Sequence, residues 1–179
     1  MLFRIDNLVV NLQSWHMSTD QDNRNPPDDS PGIVIMPPKV FLALLLVGIA
    51  LEFLISGNSF CPPILALVAG IAITALGFAF MMWGHERFHA SEINVKTNLP
   101  TSKLVMRGAY RVSRNPMYVG FVAMLAGIGV AAASVWICAM VIPFFLYFQL
   151  YVIPREESYL LRRFGPAYVD YKKKVGRWL

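Results

Sequence analysis

Arg114, Asn115 and Pro116 place a cation, a polar amide and a backbone break at the start of a long apolar run. The proline disfavours helical backbone at Asn115 and suits the first helical turn itself, where its missing N–H would have no partner. A helix N-terminus with unbonded N–H groups therefore follows Arg114, and it favours an anion such as a carboxylate or phosphate. The same residues also suit an ordinary membrane helix that begins at the interface, so both interpretations stay open at this point.

A second pattern with chemical meaning is the run 85–89, which reads His-Glu-Arg-Phe-His and matches HExxH. Two histidines one helical turn apart can bind zinc while the glutamate activates water. A zinc hydrolase would need a third ligand, for which Glu92, Glu156 and Glu157 are candidates. We favour the simpler interpretation that His, Glu and Arg are interface residues of a basic segment beside the membrane, since so short a motif also arises by chance.

Membrane helices are the elements that must position these residues. The chain has 179 residues, of which 56% are hydrophobic, and its mean hydropathy of +0.49 is too high for an ordinary soluble domain. Four apolar runs come near the roughly 20 residues that cross a bilayer, at about 40–56, 64–83, 117–135 and 136–153. We predict an all-α integral membrane protein with about four transmembrane helices, arranged as two antiparallel hairpins.

Lysine and arginine residues are concentrated in two connections. Segment 84–115 contains six and segment 154–179 contains seven, whereas the other two connections contain none. Because positive segments stay inside, we expect a cytoplasmic loop at 84–115, a cytoplasmic tail at 154–179, and both termini in the cytoplasm. The net charge of +5 then reflects contact with anionic membrane lipids. No nucleic-acid partner is predicted, because these cations belong to no nucleic-acid-binding motif.

Residues 1–36 differ from the rest of the chain. The run 18–31 contains four aspartates and three prolines and has almost no apolar residue, a composition typical of disorder. We therefore predict a disordered extension at 1–36, which is dispensable if Met36 is an alternative start, and a transmembrane domain at 37–179.

Polar residues and thiols also fall near the opposite side of the membrane. Glu52 lies close to the outer end of the first helix, where we expect it to reach water at the interface. Cys61 and Cys138 lie near the same side, so a disulfide is conceivable, although two buried thiols are the preferred interpretation.

The string PTSKLVMRGAYRVSRNPMYVG, from Pro100 to Gly120, resembles the LVxxGxYRxSRNPMYxG signature of the isoprenylcysteine carboxyl methyltransferase family. Its bacterial relatives, which look like phospholipid N-methyltransferases, share the signature. The tail from Glu156 to Leu179 resembles the family's EExxL…FGxxYxxYxxxVxRW ending. These two matches occur in the expected order around a helical hairpin, and together they cover a little under half of the chain.

The resemblance implies S-adenosylmethionine as the methyl donor and a lipophilic or lipid-like substrate drawn from the membrane. It also implies a cytoplasmic cofactor pocket closed by the helical tail, in a bacterial inner membrane. No metal is required for methyl transfer. Small residues on the second and third helices permit a homo-oligomer.

The residues present can meet the needs of this donor, which has a carboxylate, an ammonium and a flat adenine. Cations and a helix start suit the carboxylate, acids suit the ammonium, and an apolar slot suits the adenine. The candidate catalytic residues are Arg114, Glu156, Glu157 and Arg177. The candidate cofactor-binding residues are Leu104, Val105, Gly108, Tyr110, Arg114, Asn115, Pro116, Tyr118 and Glu157.

Other functions remain open beside this leading hypothesis. Membrane sterol reductases, which use NADPH, share a similar Arg-x-Pro-x-Tyr pattern but have longer chains. The HExxH zinc protease and a non-catalytic membrane scaffold are further alternatives. The acceptor group can be a carboxylate, an amine or a thiol, because nothing in the sequence selects among them.

Overall fold

The computed structural model describes residues 31–56, 62–89 and 104–179, and no β-strand occurs within these ranges. The helices are α1 (Pro37–Leu51) with a π-helical turn (Glu52–Ser56), α2 (Ile64–His89), a 3-10 turn (Gly108–Arg111), α3 (Pro116–Ala131), α4 (Val135–Ala139), α5 (Val141–Leu146), a second π-helical turn (Tyr147–Val152), α6 (Ile153–Phe164) and α7 (Pro166–Lys174).

Three stretches within the described ranges are long and apolar enough to cross a membrane: Pro37–Ile55, Ile64–Glu86 and Val135–Phe164. The predicted class, an all-helical membrane protein, is therefore confirmed. Helix α3 is also apolar but has 16 residues, or about 24 Å of α-helix against a hydrocarbon core of about 30 Å. A fourth span at 117–135 stays a prediction, because this helix ends at Ala131.

The last apolar run continues as a helix beyond Pro154, where we expected the tail to begin. Proline has no N–H to donate, and in a regular α-helix its ring would clash with the carbonyl of Leu150. The π-helical turn Tyr147–Val152 lies immediately before it and widens the backbone there. The helix therefore continues past the proline, and its extension α6 carries both Glu156 and Glu157.

Helices α2 and α3 pack closely and antiparallel through small residues. A Cβ placed on Gly70 would lie 2.1 Å from the backbone nitrogen of Ala131, and one on Gly84 would lie 3.1 Å from the ring of Pro116. In the middle, a Cβ on Gly120 would lie 2.5 Å from the carbonyl oxygen of Gly77. Small residues therefore let these two helices approach closely within one chain, and the contact sets the start of α3 beside the end of α2.

Helix α1 packs against α3 and α5 through an aromatic cluster, and against α4 at Gly48, where a Cβ would lie 2.9 Å from the Cα of Ile137. The ring of Phe41 lies 5.8 Å from the rings of both Phe121 and Phe144, and Phe144 lies 4.8 Å from Phe148. Such pairs contribute about 0.5–1.5 kcal/mol each beyond the burial of their surface. The two predicted hairpins stay predictions, since the described contacts of α1 are with the later helices.

Gly165 separates α6 from α7. Its φ of +50° lies in the left-handed region that favours glycine, and Pro166 begins the next helix. One helix therefore ends at this glycine, and the next begins at the proline that follows it. Residues 175–179 then run back to the beginning of α3, as their hydrogen bonds show below.

Two further expectations concern the ends of the first helix. The structure describes residues 31–36, and there Ile33 is 3% exposed and packs in the core; the predicted disorder of residues 1–30 lies outside the described ranges. Glu52 does not reach water as expected but is 7% exposed. Cys61 also lies outside the described ranges, so its pairing with Cys138 stays untested.

Candidate functional site

The start of α3 has the geometry that its sequence predicts. Asn115 is the N-cap with φ −131° and ψ 54°, and Pro116 occupies the first helical turn. The carbonyl of Asn115 accepts hydrogen bonds from the N–H groups of Tyr118 and Val119 at 3.0 and 3.1 Å. Its own N–H donates to the hydroxyl of Ser113 at 3.0 Å. This local order holds Arg114 immediately before the helix.

The C-terminal tail crosses this corner and is hydrogen-bonded to it. The N–H of Arg114 donates to the carbonyl of Gly176 at 3.0 Å. The side-chain amide of Asn115 donates to the carbonyl of Arg177 at 2.9 Å, and the Ser113 hydroxyl donates to the same carbonyl at 3.4 Å. The Asn115 amide is thus committed to the tail, which holds Arg177 in register with the start of α3.

Glu157 is the centre of a buried ion-pair cluster. Its carboxylate accepts from Nη1 of Arg114 at 2.7 Å and, in a two-pronged pair, from Nε and Nη2 of Arg177 at 3.1 and 2.7 Å. The ammonium of Lys172 lies 3.7 Å away. The side chains of Arg114 and Glu157 are only 10% and 12% exposed. Charged hydrogen bonds of this kind are stronger than neutral ones and fix the geometry of both partners.

The cluster keeps an unused capacity to bind an anion. Three cations surround one carboxylate, so positive charge is in excess. Nη1 of Arg114 also donates to the hydroxyl of Tyr168 at 3.3 Å. Its Nε is buried and has no hydrogen-bond partner among the residues that the structure describes. Leaving a buried donor unpaired costs about 1–3 kcal/mol, so an acceptor beside this atom would offset that cost.

The neighbouring acid, Glu156, has a different environment. It accepts a hydrogen bond from the hydroxyl of Tyr118 at 2.5 Å. The ring of Tyr118 is buried and stacks on Phe148 with a centroid distance of 4.4 Å. Two adjacent glutamates of α6 therefore have separate partners: Glu157 contacts cations, and Glu156 contacts a phenol.

Ionisable groups at the margin of the site have shifted pKa values. Hydrogen bonding to Glu157 raises the pKa of Arg177, which keeps its charge. Burial, and then the charge of Glu157, raises the pKa of Tyr168 to about 12. Burial, and then the charge of Glu156, raises the pKa of Tyr110 well above its usual range. Both phenols therefore stay neutral near pH 7.

The predicted adenine-binding residues belong to the segment before α3. Leu104 and Val105 are half-buried, and Gly108 has φ +64° at the start of the 3-10 turn. Tyr110 is buried, and its carbonyl accepts from the hydroxyl of Tyr171 at 2.6 Å. The contact of these residues with adenine stays a prediction.

The HExxH run lies at the end of α2, next to the start of α3. Among the described residues, no three His, Cys, Asp or Glu side chains come together as metal ligands. The side chain of His89 and the whole of Glu92 lie outside the described ranges, so a zinc site built on them is not tested by the geometry.

Sequence reasoning missed several side chains that complete the site. Ser113 fixes the backbone before α3, and Tyr168 and Lys172 contact the ion-pair cluster. Tyr168 is part of the tail pattern quoted above, but its helical spacing with other apolar residues favoured a role in packing. The hydroxyl groups of the two tyrosines in that pattern, Tyr168 and Tyr171, are the sequence signal that could indicate polar contacts.

The fold and this corner define a class: helical membrane proteins with a buried, cation-rich site where one apolar helix begins. Comparison with known proteins gives the family. Residues 65–167 match the family model for phospholipid methyltransferases, which is more than half of the chain, and the chain belongs to that family. Tyr168 and Arg177 lie beyond the matched residues, so their place in the site rests on the geometry.

A named methyltransferase is among the similar proteins. The chain is 32% identical over 116 residues to a protein-S-isoprenylcysteine O-methyltransferase of Saccharomyces cerevisiae, a match that covers 63% of this chain and 48% of the yeast protein. It is 51% identical over 39 residues to an uncharacterized protein of Haemophilus influenzae, covering 22% of this chain and 62% of that one. The chain thus spans about half the length of the yeast relative. No solved structure matches it. The resemblance to the isoprenylcysteine carboxyl methyltransferase family is confirmed.

Proposed function

We propose that this chain transfers a methyl group from S-adenosylmethionine to a lipid-like acceptor at the corner formed by Arg114, Glu157 and Arg177. The observation that carries the proposal is the excess positive charge of this buried cluster, beside the Nε of Arg114 that has no partner among the described residues. Both favour a carboxylate at the start of α3. Membership of the phospholipid methyltransferase family supports the same reaction.

The residues present fit the amino-acid end of S-adenosylmethionine. Arg114 and the first turn of α3 would hold its carboxylate. Glu156 would accept hydrogen bonds from its ammonium, because its carboxyl group, which already accepts from Tyr118, still has free lone pairs. Leu104, Val105 and Tyr110 would line the adenine, with Gly108 allowing the backbone to turn beside it.

When bound, S-adenosylmethionine supplies a methyl group made reactive by its positively charged sulfur. The protein needs no metal and no nucleophile of its own for this step, so positioning of the acceptor carries most of the catalysis. Arg177 would hold an acceptor carboxylate through the guanidinium N–H groups that its pair with Glu157 leaves unused. For an amine or thiol acceptor, Glu156 would accept a hydrogen bond from its N–H or S–H group. This bond would orient the lone pair of the acceptor's nitrogen or sulfur.

A lipophilic acceptor is part of the proposal, because the cluster lies at the end of apolar helices. The name of the yeast relative supports a carboxylate on a lipid-modified group, and the family description supports a phospholipid amine. We further propose that residues 37–179 form the methyltransferase domain. The basic segments 84–115 and 154–179 would face the cytoplasm, which puts the site where soluble S-adenosylmethionine is available.

Calorimetric titration of the detergent-purified protein with S-adenosylmethionine and with NADPH tests the proposal. We expect binding of the methyl donor only, and its loss in Arg114→Ala. Arg162→Ala is the matched control, because this arginine is exposed on α6. Binding of NADPH alone would favour a reductase, and binding of neither would favour a scaffold.

Incubation of the protein in membrane lipid extract with isotope-labelled methyl donor tests the reaction itself. Mass spectrometry of the extract should find one lipid class that gains the labelled methyl group. Zinc-dependent hydrolysis that is lost in His85→Ala would contradict the proposal in favour of the zinc protease.

A further inference from the structure

The segment 31–36, which we call the N-terminal strap, precedes the first membrane helix. It packs against the π-helical turn Tyr147–Val152. Ile33 is 3% exposed and belongs to the same core as Phe148 and Val152. Its neighbours Val34 and Ile35 are 84% and 52% exposed. The strap therefore inserts one side chain and leaves the next two outside.

Hydrogen bonds tie the strap to the π-helical turn Tyr147–Val152. The N–H of Val34 donates to the hydroxyl of Tyr151 at 3.3 Å. The hydroxyl of Tyr147 donates to the carbonyl of Ile35. The two tyrosine rings stack with a centroid distance of 5.6 Å. Both tyrosines of the turn are thus held by backbone groups from the other end of the chain.

The π-helical turn decides which way the residues after it face. Each residue turns an α-helix by about 100°, so the extra residue of a π-turn rotates the following helix by about that angle. Glu156 and Glu157 follow the turn directly on α6. If the turn relaxed to regular α-helix, these carboxylates would rotate away from Tyr118 and Arg114.

Contacts also lead from the strap to the site. Tyr147 packs on Phe148 at 5.3 Å, and Phe148 stacks on Tyr118, the residue that donates to Glu156. On the other side, the guanidinium of Arg155 lies 4.0 Å from the ring centre of Tyr151 and donates to its carbonyl. The strap and the two glutamates are therefore connected through both tyrosines of the turn.

We infer that Ile33, Tyr147 and Tyr151 are positioning residues, which hold the π-helical turn in the register that points Glu156 and Glu157 into the site. Ile33 contributes the buried anchor, and the two hydroxyls fix the strap along the turn. The effect on binding of S-adenosylmethionine rests on the proposed function, whereas the effect on the turn itself does not.

The test uses single substitutions in the full-length protein, with hydrogen–deuterium exchange and S-adenosylmethionine binding as two separate measurements. Ile33→Ala, Tyr147→Phe and Tyr151→Phe should each speed amide exchange in residues 147–157, by about tenfold for the loss of one anchoring contact. The same variants should weaken S-adenosylmethionine binding about two- to tenfold, the range for one hydrogen bond. Ile33→Val should restore both values.

Val34→Ala is the matched control, because this exposed side chain is removed while its N–H still donates to Tyr151. If exchange in residues 147–157 is the same in Ile33→Ala and both phenylalanine variants as in Val34→Ala, the inference is wrong. Faster exchange with unchanged S-adenosylmethionine affinity would also overturn it, since the glutamates would then keep their position. If the unmodified protein binds no S-adenosylmethionine, the proposed function fails, and the exchange data alone decide whether the strap holds the turn.

Discussion

The two ends of α3 carry the same kind of polar contact in different surroundings. At its start, the hydroxyl of Tyr118 donates to Glu156 at 2.5 Å. Just beyond its end, the hydroxyl of Ser134 donates to Glu52, also at 2.5 Å. Each pair joins an acid from another helix to a hydroxyl at one end of α3; the Ser134 pair is buried, and the Tyr118 pair is part-buried.

The groups around each pair differ. The Ser134 hydroxyl also accepts from the N–H of Ile137 at 3.2 Å, which makes it the N-cap of α4. Glu52 and Ser134 are therefore both used to hold α1 against the turn. At the other end, Glu156 stands beside Glu157 and its three cations, where one buried donor of Arg114 has no described partner.

This difference shows that a buried acid in a membrane helix is not enough to indicate a site. An intramembrane carboxylate is costly and is often functional, yet Glu52 is accounted for by a cap and a helix contact. The start of α3 differs in two ways. Its three cations outnumber the one carboxylate that they contact, and the buried Nε of Arg114 has no described partner.

The largest expected effect is at the cation-rich end. Glu157→Gln replaces charged bonds to Arg114 and Arg177 by neutral ones, so S-adenosylmethionine binding should fall about 10- to 150-fold, the equivalent of one charged hydrogen bond. Titration calorimetry measures the change. Asp170→Asn removes the same charge from an exposed pair with Lys173 and should bind normally. Equal losses in both variants would point to net charge and remove the special role of Glu157.

Ser134→Ala should lower stability and leave binding unchanged, which is the opposite of Glu157→Gln. It removes the cap of α4 and leaves Glu52 without this donor, so the free energy of unfolding should drop by about 1–3 kcal/mol. Denaturant unfolding in detergent measures the drop, and S-adenosylmethionine binding should stay unchanged. Ser158→Ala is the control, since this exposed hydroxyl donates only within its helix to the carbonyl of Pro154. A binding loss in Ser134→Ala with normal stability would contradict the comparison.

Tyr118→Phe should give a smaller effect. The ring and its stacking on Phe148 remain, but Glu156 loses its hydroxyl donor, which is worth about 1 kcal/mol or fivefold in affinity. Separate measurement of KM and kcat for methyl transfer shows whether the loss lies in binding, in which case KM rises and kcat stays the same. Tyr159→Phe, a buried tyrosine of α6, separates this effect from removal of any buried phenol, and an equal loss there would refute the assignment.

The smallest effect is expected at the edge of the cluster. Lys172 is 40% exposed and 3.7 Å from Glu157, so Lys172→Ala should weaken binding only about twofold, because solvent screens exposed pairs. The loss should disappear at high salt. Lys173→Ala, one residue further, removes only the surface pair with Asp170 and should show no salt-dependent change.

Much of the fold follows from local sequence. The positions of the helices are specified by apolar runs longer than a few turns, by Pro116 and by the Gly165-Pro166 step. These signals act over neighbouring residues. The family was recognisable for the same reason, since its motifs are contiguous strings. Those strings contain Arg114, Glu157 and Arg177, the residues that form the ion-pair cluster.

Tertiary structure alone decided how these residues are paired. Adjacent glutamates look alike in a sequence, but the π-helical turn before Pro154 rotates α6 so that Glu157 meets the arginines and Glu156 meets Tyr118. Glu52 and Ile33 are likewise buried against partners more than 80 residues away, Ser134 for Glu52 and the core around Phe148 for Ile33. Sequence determines local backbone preferences directly, whereas the partner of a buried polar group is set by helices that meet only after the whole chain has packed.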